Sequence, residues 1–427
     1  MSTSTVNLLI RAKQLEVAEL QQLNDRVRLS GILGHLVHTL QSERGASSIF
    51  LASSGERFAD KRTKLIAESE QITGLLLGEF ESELQNPTFS NARILSLMAW
   101  VQTGLEAMPE LRASISSHKI SGDESVAAFS RMISGLIALI LELADAGVDA
   151  EISRLLVSLF YLIEGKEMAG QERATGALAF GAGICKDSLK QRVVHLIDAQ
   201  ERNFRIFLEL AGQDINKLWR EMESSGFTAR LDGMRQMIRD AEDNTNLDTG
   251  LSDVWFENAS ERIGFMWRIQ RKLVLTLQKH CETLISKNLR ALNDSTRLLQ
   301  NLGSSNVVTD EVVQRFFDPE IPVERLLVFQ QGGQEHIKHA PRSVIDLLRQ
   351  QSRHLANVEA ELETARRAIR ERKQIERTKG ILMQQMQLNE DQAYRYLRNL
   401  AMEHNLRLAE VAEMVLQNNS LKGMSQS

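Results

Sequence analysis

Proline is the scarcest structural residue here, and its absence is informative. The 427 residues hold five prolines, Pro87, Pro109, Pro319, Pro322 and Pro341, with none between Pro109 and Pro319. Proline breaks helix interiors, so this long stretch is free to form long helices. Aromatic residues make up only 5%. Leu, Ala, Glu, Gln and Arg dominate instead, and these favour helix. The chain reads as all-α. There are two cysteines, Cys185 and Cys281, far apart and with no CxxC. That excludes a disulfide framework and points to buried free thiols in a reducing cytosol. Charge of one sign is also lacking in bulk. A net charge of −5 excludes a general affinity for polyanions and requires any such site to be a local patch.

Other absences narrow the function. The longest apolar run, Gly135–Leu141, is too short to span a bilayer. The N-terminus meets Arg11 and Glu16 too early for a signal peptide. These readings predict a cytoplasmic protein with no membrane partner. No P-loop, GxGxxG, GxSxG or HExxH occurs. His35 and His38 share a spacing of three, as do His336 and His339. Neither pair has the carboxylate partners a metal site needs, so both read as core or solvent histidines. Asp240 and Glu242 read as a solvated helix end. The expectation is no enzyme, no catalytic residue, no metal and no cofactor.

What is present is helical periodicity. Apolar residues recur at spacings of three and four nearly throughout. Helices are predicted at about 28–53, 60–84, 91–108, 122–146, 151–181, 186–211, 227–242 and 252–300. The breaks at Gln85–Ser90, Ser116–Gly122 and Asp243–Gly250 are polar or carry Gly or Pro. Eight antiparallel helices with short connections predict two four-helix bundles over 28–300. Residues 301–341 concentrate Gly303-Ser304-Ser305, Asp318-Pro319, Ile321-Pro322 and Gly332-Gly333, the composition of a hinge. From there Leu348, Leu355, Leu362 and Ile369 stand seven apart, with Gln351, Val358, Ala365 and Arg372 as the second row. Four such heptads predict a coiled-coil helix over 342–371, hence a homodimer. The alternative is a single helix packed on its own domain.

Two constellations carry chemistry. Residues 366–379 hold seven basic groups, Arg366, Arg367, Arg370, Arg372, Lys373, Arg377 and Lys379, against Glu371 and Glu376. Such a patch attracts phosphate backbones. Tyr394 and Tyr396 add stacking surfaces next to Arg395 and Arg398, as single-stranded RNA recognition requires. A solvated helix face remains the other reading. The second constellation is an internal echo: Ser42-Glu43-Arg44-Gly45-Ala46-Ser47-Ser48 against Gln171-Glu172-Arg173-Ala174-Thr175-Gly176-Ala177, with Arg44 and Arg173 129 residues apart. Small residues let helices approach, and arginine stays charged when buried, offering a planar fork of donors. Two such arginines facing one cavity would repel unless a small planar monoanion sat between them. Alternatively, Glu43 and Glu172 neutralise them as ordinary ion pairs.

Residues 372–416, RKQIERTKGILMQQMQLNEDQAYRYLRNLAMEHNLRLAEVAEMVL, resemble the ANTAR domain, an RNA-binding antitermination module. The match rests on Ile375, Lys379-Gly380, Leu382-Met383, Ala393-Tyr394, Leu397-Arg398, Ala401-Met402 and Leu408–Ala412. Thr378 departs from the alanine common there. The resemblance implies a three-helix ANTAR domain at 372–420 that dimerises through the preceding coiled coil. Its implied partners are leader-mRNA hairpins, with Lys379, Tyr394, Arg395 and Arg398 as RNA contacts. ERGASSIFLASSG (43–55), GQERATGALAFGAG (170–183) and WFENASERIGFMWRIQRKL (255–273) resemble the NIT domain, which senses nitrate and nitrite. That resemblance implies nitrate or nitrite as ligand, Arg44 and Arg173 as its arginines, and a third arginine before the Trp255 motif. Arg235 is the choice for the third, with Arg230 and Arg239 as alternatives. Together they imply an anion-sensing regulator of transcription antitermination. The competing reading is a small-anion sensor whose coiled coil and C-terminal module bind a protein.

Overall fold

Long helices follow directly from the missing prolines. A computed structural model describes residues 5–145, 149–302, 367, 369–388, 390–404 and 406–424, in two separate units. Among them lie twelve helices and one two-stranded ribbon, so the all-α expectation holds. All but the first two residues of the predicted hinge (301–341) and most of the coiled coil (342–371) fall outside the described residues.

The first bundle comprises α1 (Thr5–Ala52), α2 (Ala59–Gln85), α3 (Ala92–Ser116) and α4 (Gly122–Ala144). The second comprises α5 (Ala150–Gly181), α6 (Asp187–Leu210), α7 (Gln213–Glu223), α8 (Gly226–Asp240) and α9 (Leu251–Leu302). Helix starts are written in the sequence. The Asn91 and Asp149 side chains accept from Ile94 N and Ile152 N, and Ser121 forms a capping box with Glu124. Each satisfies backbone donors that the first turn leaves over. The strands β1 (Ile184–Cys185) and β2 (Thr245–Asn246) pair antiparallel, Ile184 opposite Asn246. They clip the start of α6 to the turn before α9.

Three differences from the predicted helices have physical causes. α1 begins at Thr5, not near 28, because Val17, Leu20, Leu23 and Val27 continue its buried stripe. α3 runs through Pro109 to Ser116. Burial of Met108, Arg112 and Ile115 outweighs the lost hydrogen bond. α7 went unpredicted although Ile215, Trp219 and Met222 give it a buried stripe, so the second bundle has five helices rather than four. By length and composition α4 could cross a membrane. Here its large apolar residues, from Phe129 to Leu143, are buried inside the first unit.

The bundles meet through close helix approaches. α1 and α9 run in opposite directions: Gly31 lies against Val274, Gly34 against Gln270 and Gly45 near Phe256. In the second bundle a Cβ built on Gly176 would sit 2.1 Å from the Trp255 ring. Trp255 is fully buried, and its indole N–H donates to Arg173 O at 3.1 Å. A methyl group there must push the ring from its cluster with Phe180 and Ile238. Gly176→Ala is therefore expected to lower stability by about 1–3 kcal/mol, the usual cost of overpacking. Urea unfolding of the variant against the parent checks this.

The second unit packs α10 (369–386), α11 (Glu390–His404) and α12 (Leu408–Met424) around Leu382, Ala393, Leu397, Ala401 and Val411, with Leu400 against them. Ala393, Leu397, Leu400 and Ala401 recur at helical spacing and form the inward face of α11. Thr378, the departure from alanine, is fully buried; its hydroxyl lies 2.8 Å from Gln374 O and 3.1 Å from Ala412 O. The extra oxygen thus joins α10 to α12.

Candidate functional site

The echo in sequence is an echo in space. On α1, Glu43 accepts from Arg112 of α3 through Nε at 2.8 Å and Nη2 at 2.9 Å. On α5, Glu172 accepts from Arg235 of α8 through Nε and Nη2, both at 2.6 Å. Ser69 of α2 completes the first pair and Gln200 of α6 the second. Each glutamate thus points into its own bundle and bolts it with a bidentate arginine. Glu172 is held below the usual carboxylate range: burial pushes it up, but Arg235 and Arg262 outweigh that. Burial lowers Arg235, and the opposing pull of Glu172 and Asp232 raises it further.

The glutamates are therefore not the partners of Arg44 and Arg173. Those two arginines turn the other way, toward each other. Arg44 Nη2 would be 2.9 Å from a Cβ on Gly170 of α5, and Arg173 Nη2 would be 2.7 Å from a Cβ on Gly45 of α1. Each guanidinium rests against a glycine of the opposite helix, where only a missing side chain leaves room. The supports also repeat: Arg44 Nη1 donates to Ser130 Oγ of α4 at 2.7 Å, and Arg173 Nη1 to Ser260 Oγ of α9 at 3.0 Å.

The symmetry breaks at one residue. Glu167 on α5 accepts from Arg44 Nη1 at 2.5 Å and Nη2 at 3.2 Å, from Gln41 Nε2 at 2.8 Å and from Gln171 Nε2 at 2.9 Å. Among the described residues Arg173 has no ion pair. Its plane lies over Phe256 at 4.8 Å, and Nη2 reaches Gln41 O only at 3.4 Å. Burial and then repulsion by Arg44 push its guanidinium down to about 10, with Glu167 opposing. Arg173 is thus a buried guanidinium whose charge no carboxylate offsets directly, the kind of perturbed group that marks a candidate anion site.

Behind Glu167 lies Lys166, fully buried, with Nζ 2.5 Å from Gln270 Oε1 and 5.0 Å above Trp267. Burial lowers it to about 7 despite Glu167. His38 and His35 stack on Trp267, at 4.4 and 5.0 Å. Burial, and then Lys166, keep His38 well below its ordinary value. The histidine pair thus packs against an aromatic ring, in line with the core reading.

The structure brings Arg44 and Arg173 together and places Arg235 in a separate cluster, committed to Glu172, Asp232 and Gln200. Arg230 donates to Asn258 Oδ1, and Arg239 lies 4.0 Å from Glu201. Sequence reasoning missed Glu167, Gln41, Gln171, Lys166, Ser130 and Ser260. Two signals were available. The serines sit 130 residues apart, almost the spacing of the arginines. Glu164, Lys166 and Glu167 interrupt the apolar run Leu155–Ile163 of α5 with three charges in four residues.

In the second unit Arg398 is exposed, Tyr394 and Arg395 are half-buried, and Lys379 is buried with Nζ 3.0 Å from Glu376 Oε2. Glu376 also accepts from Arg372 at 2.7 Å, and Glu371 draws Arg367 and Arg407. Part of the basic run thus stitches the module together, while Arg398 stands on the open face beside Tyr394 and Arg395.

Residues 35–278 match the family described as nitrate and nitrite sensing, and residues 363–416 match the ANTAR domain. The nitrate regulatory protein of Klebsiella oxytoca is 28% identical over 417 residues, covering 96% of this chain and 94% of that protein. The solved structure of the NasR transcription antiterminator aligns with a TM-score of 0.58 at 26% identity, covering 97% of this chain and 99% of that one.

Proposed function

The chain belongs to the nitrate- and nitrite-sensing family, with a C-terminal ANTAR domain, and on that premise we propose that it is a nitrate- or nitrite-responsive transcription antiterminator whose ligand sits between Arg44 and Arg173. One observation carries the site: two buried guanidiniums, one on each bundle's first helix, converge while their neighbouring glutamates are engaged elsewhere. A planar oxyanion accepts from both and removes their repulsion. Binding then favours whichever arrangement of the bundles holds α1 and α5 together, a shift limited by the anion's differential affinity for the two states. The shift passes through residues 301–371 to the ANTAR domain, which acts as a homodimer on leader-mRNA hairpins and prevents termination. Arg398, Arg395 and Tyr394 contact the RNA. Lys379, with Glu376, supports the surface from beneath. Arg235 acts as the bolt of the second bundle.

The test is a gel shift with a leader hairpin, with and without nitrate. The full chain is expected to retain the hairpin only with nitrate or nitrite, and the affinity falls by orders of magnitude between 50 and 200 mM salt if about 6–10 phosphates are contacted. Arg398→Ala is expected to weaken it about tenfold and to flatten the salt slope by about one. Equal retention without anion would defeat the sensing reading. A salt-insensitive complex would favour a protein partner over RNA.

A further inference from the structure

The converging arginines do not form a simple dication. Glu167 is 2% exposed, and four donors from three side chains fix its carboxylate: two from Arg44, one from Gln41 and one from Gln171. It lies on α5, 129 residues after His38, so the first bundle has an imidazole at the equivalent position. The second bundle alone supplies the site with a resident negative charge. We propose that Glu167 sets the valence of the guest anion. By occupying Arg44 it leaves one positive charge unmatched, at Arg173, and so admits a planar monoanion while rejecting a dianion such as sulfate. This rests on the reading of Arg44 and Arg173 as the anion's ligands.

Among the guanidiniums and carboxylates facing the site, a single positive charge is left unmatched. From α1 come Arg44 and the His38 ring; from α5 come Lys166, Glu167 and Arg173. Glu43 and Glu172 are taken up by Arg112 and Arg235. α9 contributes neutral partners, Ser260, Gln270 and Trp267, and α4 contributes Ser130. Burial keeps the His38 ring toward its neutral form, and the Lys166 amine is spent on Gln270 Oε1 and the Trp267 ring. One guanidinium without a carboxylate then faces the incoming ligand. A monoanion brings the group to neutrality. A dianion leaves an uncompensated negative charge in a desolvated site, which is heavily penalised.

Thermal melts and titration calorimetry on the full chain, with nitrate, nitrite and sodium sulfate at matched ionic strength, test this. The wild type is expected to bind nitrate or nitrite and to ignore sulfate. Glu167→Gln, which keeps the shape and removes the charge, is expected to bind nitrate about tenfold tighter, or ~1.4 kcal/mol, and to acquire a sulfate response. Gln171→Glu adds a second negative charge beside Glu167 and is expected to lose nitrate binding; it decides the question if Glu167→Gln does not fold. A Glu167→Gln protein that binds nitrate yet still ignores sulfate would overturn the proposal, as would Gln171→Glu with unchanged nitrate affinity. Gain of sulfate binding is a readout that a merely supporting role for Glu167 would not move. A wild type that binds nitrate and sulfate alike would sink the valence proposal and leave the arginine site standing. A wild type that binds neither nitrate nor nitrite would remove both.

Discussion

Arg173→Met is expected to abolish the nitrate-induced rise in the unfolding midpoint and, at the same time, to make the ligand-free protein more stable than the wild type. The two effects share a cause. Arg173 is buried without an ion pair among the described residues, and its guanidinium is pushed down to about 10 by burial and by Arg44. Replacing even a paired buried ionic group by well-packed apolar side chains ranges from neutral to a gain of about 1–4 kcal/mol, and Arg173 has no paired carboxylate to lose. Methionine can still cover Phe256 and lie against Gly45, which the arginine now contacts. With nitrate at a hundred times its dissociation constant the wild type gains about 2.7 kcal/mol by linkage, and the variant gains none. Arg44→Met should behave differently. It removes the partner of Glu167 and leaves a buried carboxylate with only two amide donors, so a loss of about 3–5 kcal/mol is expected. Urea melts of both variants with and without nitrate separate the two. A nitrate response surviving in Arg173→Met would defeat the anion assignment. A less stable ligand-free Arg173→Met would show that Ser260 and Phe256 already compensate the charge.

Much of this arrangement was legible in the chain because it is local. The paired Glu-Arg steps stand in similar helical contexts, and one residue's difference in helix position is about 100° of rotation. That turn sends Glu43 and Glu172 into their own bundles and Arg44 and Arg173 toward the seam. The small residues around each arginine announced a close helix approach, and Gly45 and Gly170 provide it. The ANTAR core was equally readable, since Ala393, Leu397, Leu400 and Ala401 lie on one helical face. What stayed hidden depends on how separate helices cross. Glu167 reaches Arg44 only because α1 and α5 pass at that height, a fact no spacing encodes. Lys379 was read as an RNA contact from the ANTAR resemblance, yet its stem is buried and its head is drawn to Glu376. Arg235 had the right residue type and position, but Glu172 on the facing helix claims it. The run of α3 through Pro109 was unreadable for a related reason: tertiary burial of Arg112, held by Glu43, overrides a local helix breaker.

The same seam makes stability depend on pH through Lys166. Burial lowers this amine from its ordinary value of 10.5 to about 7, against the pull of Glu167. The unfolded chain keeps its proton up to about 10.4. Between pH 7 and pH 10 the unfolded state therefore binds more protons than the folded one, and stability rises with pH across that window. Below pH 7 both states hold the proton and the full cost of burying the ammonium remains. At about 1.36 kcal/mol per pKa unit the effect is on the order of 3–5 kcal/mol. The neighbours do not reverse it. His35 and His38 on α1 are both driven toward neutral chiefly by burial, and Glu167 on α5 is bound to Arg44. Lys166→Met, which can fill the space above Trp267, is therefore expected to be more stable than the wild type by a few kcal/mol at pH 6.5. That advantage should shrink steadily toward pH 10. Guanidinium melts at four pH values measure the difference directly, and background titrations common to both proteins cancel. An advantage that does not vary with pH would mean that Lys166 keeps its proton inside the fold, matched by Glu167. In that case removing the lysine should weaken the hold on Glu167, and the variant should be the less stable protein at every pH.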